Sequence, residues 1–396
     1  MNSDRATTGL RDRKACIACT KSKRKCDKGT PFCQRCLEKD LICQYPNIRP
    51  YTRVKRLPQT SPPASDALSS HEASSAQLEA RESVNPSLLT GSWFLGPETW
   101  SIDHSSINCP LPPLSASIME IYVDQMRAWL RQWIKETQNG FIHGHLYSVT
   151  GLPHCLQNAW AALTAYFFKT RENEVATMSM IQARAEELIV QQSHNEICSA
   201  TMSLLGTVEH LARVQALFVY QFIRLFDGNI RQRALAEKEI PVLFSWCRAL
   251  WESATLHADS ENFSLPSSPF DGADPIARLW RKWVLSESIR RMWIITHFTQ
   301  SVYFTMRDGW TNCPGGVCFT ARQGLWDASS SDAWANLLGT HDPWFFSCAH
   351  ANQLLMIAEP GRVDSFSELL LKMLWGNEKI ENWMKNGSAV SNLTLN

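Results

Sequence analysis

Six of the chain's thirteen cysteines lie in one stretch of 28 residues, from Cys16 to Cys43. The stretch repeats the pattern Cys-x2-Cys-x6-Cys, first as CIACTKSKRKC and then as CQRCLEKDLIC, with six residues between the copies. Such spacing is compatible with disulfides, redox thiols or a metal site. The N-terminus lacks the apolar segment of a secretory signal, so we expect a soluble intracellular protein. In that reducing setting, clustered cysteines at regular spacing indicate metal ligands.

The number of sulfurs favours two zinc ions. Two tetrahedral zinc ions need eight ligand positions, so six cysteines suffice only if two of them bind both metals. A single zinc would leave two sulfurs over, and an iron–sulfur cluster normally takes four. The repeat predicts that the shared sulfurs are matching members of the two copies, which leaves three pairs open. These are Cys16 with Cys33, Cys19 with Cys36, and Cys26 with Cys43.

The stretch resembles the fungal binuclear zinc cluster (Zn2Cys6) transcription factors. The resemblance rests on the cysteine spacing, on the basic run before Cys26, on Asp27 directly after it and on Pro31 two residues before Cys33. It implies two Zn2+ ions as cofactors and Cys16 and Cys33 as the shared pair. The remaining ligands would then be Cys19 and Cys26 for one ion, and Cys36 and Cys43 for the other. It also implies that Pro31 shapes the loop between the two halves.

Charge separates the two halves of the repeat. Residues 1–60 carry fifteen Lys and Arg against five Asp and Glu, whereas the other 336 residues carry 24 against 33. Two Zn2+ and six thiolates sum to −2, which reduces the balance of +10 at this end to +8. The first half has only cations between its cysteines, while the second balances Arg35 and Lys39 with Glu38 and Asp40. We therefore expect the first half to face DNA.

The basic run supplies the candidate DNA contacts. A short helix after Cys16 is expected to end near Lys23, and lysine donates well to guanine O6 and N7 in the major groove. The resemblance implies that Lys23 reads a G·C step, that carbonyls around Ser22 and Lys23 accept from a cytosine, and that the half-site is a CGG-type triplet. Thr20 and Ser22 stand where many family members carry Arg or Lys, which predicts weak binding by the isolated module. Lys21, Arg24 and Lys25 are assigned to phosphates, and Arg53, Lys55 and Arg56 to the DNA backbone, to nuclear targeting or to both. The predicted DNA-binding residues are Lys21, Ser22, Lys23, Arg24, Lys25, Arg53, Lys55 and Arg56.

All sixteen tryptophans lie between Trp93 and Trp383, which marks where a large core begins. From about residue 115 onward, apolar residues recur at helical spacing, and no segment shows sustained alternation. The predicted fold is a small Zn2Cys6 binuclear cluster module followed by a linker and a large all-α regulatory domain of eight to twelve helices. We predict a disordered basic N-terminus at 1–15, the zinc module at 16–46, a basic and then Ser/Pro/Ala-rich linker without a zipper at 47–92, and the helical domain at 93–396.

The large domain shows no DDxxD-like, HExxH, nucleophile-elbow or phosphate-loop motif, so we predict no enzymatic activity. A Trp-rich segment with Glu287, Arg290 and Arg291 resembles the middle region of the family's helical domain, which implies a structural or regulatory helix. His143 with His145, and Cys348 with His350, are interpreted as core or surface residues because further ligands are missing nearby in sequence. We favour a core role for the aromatic residues of this domain over the lining of an apolar ligand pocket.

These observations favour a nuclear, zinc-dependent regulator of transcription by RNA polymerase II. Its expected partners are double-stranded DNA with CGG-like triplets, the transcription machinery and a second copy of the chain bound through the helical domain, with no membrane. The resemblance to compact regulators of this type implies control of a biosynthetic (secondary metabolite) gene cluster. The alternative hypothesis is a non-catalytic interaction protein or co-regulator, or a helical enzyme, in which the zinc module is only a structural clip.

Overall fold

The structure is a computed structural model that describes residues 15–27, 33–39, 86–103, 114–198, 206–267, 274–313 and 315–393. The chain divides into two compact units, Met1–Leu78 and Glu79–Asn396. The described part of the first unit holds two five-residue helices, α1 (Ile17–Lys21) and α2 (Gln34–Glu38). The sequence interpretation of residues 47–85, including the absence of a zipper, lies outside the described residues.

The second unit is mainly helical, as the apolar spacing predicts. Its described helices are α3 (Ser92–Leu95), α4 (Ala116–Glu136), α5 (His154–Phe167), α6 (Glu174–Cys198), α7 (Thr207–Phe226), α8 (Ile230–His257), α9 (Pro275–Asp308), α10 (Ser331–Thr340), α11 (Ala351–Ile357), α12 (Ser365–Trp375) and α13 (Asn377–Leu393). Short 3-10 helices lie at Pro86–Thr90, Pro97–Trp100 and Cys348–His350. None of the helices among the described residues is long and apolar enough to cross a membrane.

Local sequence explains where the long helices begin and end. Asp274 caps α9 by accepting from the amides of Ile276 and Ala277, with Pro275 in the first turn, and Gly309 ends the helix at φ 81°. Near the end of the described chain, α12 and α13 follow each other directly. Gly376 separates them at φ 86°, a conformation that only glycine adopts readily.

Helices α7 and α9 lie at the centre of the second unit. Every residue of α7 from Leu211 to Leu225 is buried, so this helix is enclosed on all sides rather than on one face. Most of α9 is buried in the same way, including the fully enclosed Trp283. The surrounding core contains many aromatic side chains, which confirms that the tryptophan-rich region forms the large core.

A two-stranded antiparallel sheet was not predicted. Strand β1 (Cys318–Thr320) pairs with β2 (Phe345–Ser347), with Phe319 opposite Phe346. Each strand has only three residues, which is too short for alternation of apolar and polar residues to be recognised in the sequence.

The Glu-Ser-x-Arg-Arg motif of α9 forms a buried ionic cluster. Arg291 is 1% exposed and pairs with Glu287 Oε1 at 2.9 Å and with Asp364 Oδ2 at 2.5 Å. Arg290, also buried, donates to the carbonyls of Phe94 and Thr99 at 2.9 and 2.6 Å. Arg291 also donates to the carbonyl of Thr320 in β1 at 3.0 Å. Together these contacts join α9 to the segment before α4, to β1 and to the start of α12, which is a structural role.

Candidate metal centre and nucleic-acid interface

The two copies of the cysteine repeat begin with the same local structure. Cys16 and Cys33 are the residues that precede α1 and α2, with φ and ψ of −62° and 156° for the first and −72° and 150° for the second. The thiol sulfur of Cys16 accepts from the amide of Cys19 at 3.4 Å. Each helix carries a Cys-x2-Cys pair across its first turn, so both sulfurs of a pair lie on the same side of that turn.

The sulfur separations fit tetrahedral zinc. Cys16 Sγ lies 3.8 Å from Cys33 Sγ and 3.7 Å from Cys36 Sγ, and Cys19 Sγ lies 3.7 Å from Cys33 Sγ. Zinc–sulfur bonds of about 2.3 Å place neighbouring ligands of a tetrahedron roughly 3.8 Å apart. A disulfide would need about 2.0 Å. The four sulfurs of Cys16, Cys19, Cys26 and Cys33 all lie within 4.8 Å of one another.

Sulfurs of the two copies interleave rather than forming two separate groups. Cys16 of the first copy lies beside Cys33 and Cys36 of the second, while Cys33 lies beside Cys16 and Cys19. Burial raises the pKa of the Cys33 thiol to about 12, so a thiolate at this position needs a cation beside it. The predicted sixth ligand, Cys43, lies outside the described residues.

Two polar contacts join the halves of the module. Arg35 Nη1 donates to Cys19 Sγ at 3.6 Å, and the carboxylate of Asp27 accepts from the amide of Gln34 at 3.0 Å. The first contact places a cation against a sulfur of the opposite half. Sequence reasoning treated Arg35 only as a charge balanced by nearby acids. The signal that could have indicated this contact is the position of Arg35 directly before the ligand Cys36.

The basic run, Lys21–Lys25, begins at the last residue of α1, and all five of its residues are exposed. Lys21 is the last residue of α1, two residues before the expected end, and Ser22 follows as the C-cap. Lys23 adopts φ 50°, the left-handed conformation, and its amide donates to the carbonyl of Thr20 at 3.1 Å. This turn redirects the chain, so that Lys23 and Arg24 do not continue the helical surface.

The hydroxyls at the positions that depart from the family pattern bond to the helix itself. Thr20 Oγ1 donates to the carbonyl of Cys16 at 2.9 Å, and Ser22 Oγ donates to that of Ala18 at 2.8 Å. Both residues are exposed, but the donor of each hydroxyl is used by the helix itself. The other predicted DNA contacts, Arg53, Lys55 and Arg56, lie outside the described residues.

Among the described residues, the group that could hold an ion is the four cysteines above. The other candidate ligands do not form a metal site in that part of the chain. His143 is buried against Trp326, and its Nδ1 accepts from the amide of His145 at 3.1 Å. Desolvation lowers the pKa of His143 to about 3, so the ring is neutral at ordinary pH. Cys348 donates to the carbonyl of Val317 at 3.5 Å, and His350 pairs with Asp103 at 3.2 Å.

Comparison with known proteins agrees with this geometry. Residues 14–52 match the fungal Zn(2)-Cys(6) binuclear cluster domain, a domain that binds two zinc ions. Over 96% of both chains, the protein is 26% identical to a protein named transcription factor gsfR2 from Penicillium aethiopicum. It is also 29% identical over 135 residues to zinc finger protein zas1 from Schizosaccharomyces pombe, a match that spans 33% of this chain and only 14% of that protein. No solved structure shows significant similarity to the chain.

Proposed function

We propose that this chain, with its fungal Zn(2)-Cys(6) binuclear cluster domain at residues 14–52, is a zinc-dependent transcription regulator that binds specific DNA sequences in the nucleus. The observation that carries the proposal is the exposed run Lys21–Lys25, which leaves α1 on a frame of buried cysteines. The similarity of nearly the whole chain to a protein named as a transcription factor supports it. No catalytic activity forms part of the proposal.

In this proposal Cys16 and Cys33 would hold both metals. Their sulfurs are 3.8 Å apart, and each lies 3.7 Å from a further cysteine, Cys36 beside Cys16 and Cys19 beside Cys33. The assigned ligands are Cys16, Cys19, Cys26 and Cys33 for the first ion, and Cys16, Cys33, Cys36 and Cys43 for the second. When bound, the zinc ions serve as structural cross-links and leave no open coordination position for chemistry.

The basic run would enter the major groove. Lys23 lies two residues beyond the end of α1, in a left-handed conformation, and we assign its side chain to the O6 and N7 acceptors of guanine. The cations of Lys21, Arg24 and Lys25 are exposed beside it and would contact phosphates, which orient the module and make affinity depend on salt. The backbone around Ser22 and Lys23 would accept from a cytosine. Arg53, Lys55 and Arg56 extend the basic surface in the same proposal.

The finer parts of the proposal concern the target. We assign the module to CGG-type triplets, the regulator to genes transcribed by RNA polymerase II, and its biological target to a biosynthetic gene cluster. Binding as a homodimer through the helical unit would place two modules on one duplex. Mapping of the bound sites across the genome tests the triplet, the spacing and the regulated genes together.

Competition between duplexes tests the function directly. The zinc-loaded full chain is titrated against a duplex with CGG triplets and against a scrambled duplex of equal length, at several salt concentrations. We expect tighter binding to the CGG duplex, with an affinity for both that falls as salt rises. Equal affinity for the two duplexes would contradict sequence-specific regulation and would favour the alternative in which the zinc module is only a structural clip.

A further inference from the structure

A cavity of about 600 Å3 lies in the second unit, far along the chain from the cysteine module. Its apolar walls come from Leu152, Val208 and Leu285, and its polar lining includes Arg213 and Glu209. This volume is within the range of about 300–1,000 Å3 that is typical of small-molecule sites. The lining therefore combines apolar surface with a small number of charged groups.

Two helices begin at this cavity. Pro153 precedes the fourteen-residue α5, and Gly206 precedes the twenty-residue α7; both residues line the cavity, and neither makes a side-chain capping hydrogen bond. The amides of a first helical turn carry partial positive charge, and they need acceptors from outside the helix. Two such turns at one cavity make an environment that favours an anion.

Arg213 provides an independent indication of an anionic ligand. It is 8% exposed, and its Nε and Nη1 atoms have no hydrogen-bond partner among the described residues. The carboxylate of Glu209 lies close to it, but Oε1 is 3.8 Å from Nε, beyond hydrogen-bonding distance, and the Glu209 side chain is 52% exposed. Two buried guanidinium nitrogens without a hydrogen-bond acceptor are costly, so a ligand that supplies oxygens to them would be stabilised at this position.

We propose that this cavity binds a small organic carboxylate with an apolar body. The carboxylate would accept hydrogen bonds from Arg213, a planar donor that matches the geometry of this group, near the first turns of α5 and α7. The apolar body would lie against Leu152, Val208 and Leu285. The negative charge of Glu209 favours a monoanion over a phosphate dianion, which it would repel more strongly. This inference does not depend on the proposed DNA-binding function.

Calorimetric titration of the zinc-loaded full chain with 2-naphthoate, and with the uncharged 2-naphthamide of the same shape, tests the proposal. We expect naphthoate to bind at least about tenfold more tightly than naphthamide, because only the carboxylate completes a charge-assisted contact with Arg213. Arg213→Gln should remove this preference. Glu209→Gln, at an exposed position, should strengthen naphthoate binding because it removes a negative charge beside the carboxylate. The control Glu120→Gln, on the exposed surface of α4, should leave naphthoate binding unchanged.

Cysteine alkylation locates the ligand. Half-buried Cys155 lines the cavity, whereas exposed Cys313 does not. The rate of alkylation by iodoacetamide is measured by peptide mass spectrometry. Saturating naphthoate should slow the alkylation of Cys155 and should leave that of Cys313 unchanged. The proposal is overturned if millimolar naphthoate does not bind, if it binds no better than naphthamide, if Glu209→Gln has no effect, or if Cys155 is not protected. All four results remain decisive even if Arg213→Gln does not fold.

Discussion

Replacement of Arg291 by methionine tests the buried ionic cluster of α9. The Arg291 side chain is 1% exposed, pairs with Glu287 and Asp364, and donates to the carbonyls of Gly140 and Thr320 at 3.0 Å each. Removal of one partner of a buried ion pair typically costs about 3–5 kcal/mol, because the remaining charge is uncompensated. The two carbonyls also lose a donor. We therefore expect Arg291→Met to lower the free energy of unfolding by at least about 4 kcal/mol.

Tryptophan fluorescence during urea unfolding measures this effect in the second unit alone, because all sixteen tryptophans lie between Trp93 and Trp383. Arg184→Met is the matched control. Arg184 also pairs with a glutamate on its own helix, Glu187 at 3.0 Å, but the two side chains are 43% and 48% exposed. The control should cost less than about 1 kcal/mol. An Arg291→Met loss no larger than that of the control would refute the reasoning.

The pH dependence of the same variant checks the electrostatic origin of the loss. Burial raises the pKa of Glu287 above its ordinary 4.5, and Arg291 opposes this rise. Without Arg291 the pKa of Glu287 rises further. A carboxyl with a raised folded-state pKa favours folding below its unfolded-state pKa, and this contribution is lost as the pH rises through the folded-state value. The stability difference between wild type and Arg291→Met should therefore widen as the pH rises above 4.5, the ordinary pKa of this carboxyl. In the Glu287→Gln background, the effect of Arg291→Met should lose most of this widening.

Three further predictions concern the cysteine module. Lys23→Ala should reduce discrimination at one G·C step by about 1–3 kcal/mol, measured by competition between duplexes, while Lys39→Ala on exposed surface of the second half should not. Removal of zinc by a chelator should abolish DNA binding and unfold the module without changing tryptophan fluorescence; a folded, DNA-bound module after chelation would contradict the structural role of zinc. Arg35→Gln should weaken zinc binding roughly tenfold in a chelator competition, because Arg35 donates to Cys19 Sγ at 3.6 Å, whereas Lys39→Gln should have little effect.

The composition of the cysteine stretch was sufficient to predict its metal and its cofactor number, because ligand count and spacing are local properties of the sequence. The sequence does not predict which sulfurs of the two halves approach each other. The sequence repeat leaves three shared pairs open, whereas the contacts of Cys16 with Cys36 and of Cys33 with Cys19 depend on how α1 and α2 meet. The left-handed turn at Lys23 was likewise not predictable, because lysine has no preference for that conformation.

In the second unit, the long helices were predictable from periodic apolar residues and the groups that cap them. The buried charges were not, because their partners lie far away in sequence. Arg291 contacts Asp364 and the carbonyl of Gly140, 73 and 151 residues away respectively. The cavity beside Arg213 brings together residues from α5, α7 and α9 in the same manner. Periodicity reports which face of a helix is buried, but it does not report the partner of a polar group on that face.

If the chain acts as proposed, the magnitudes available to one zinc module favour two chains on one duplex. A single lysine contact with guanine contributes about 1–3 kcal/mol of discrimination, whereas regulators typically separate specific from non-specific DNA by about 4–10 kcal/mol. The hydroxyls of Thr20 and Ser22 already donate to carbonyls of α1, so in this conformation neither donates to a base or a phosphate. A second module on a second triplet adds a further set of base contacts. We therefore expect sedimentation to show two chains on a duplex with two triplets and at least about tenfold weaker binding to one triplet. A single chain bound to one triplet at full affinity would contradict this argument.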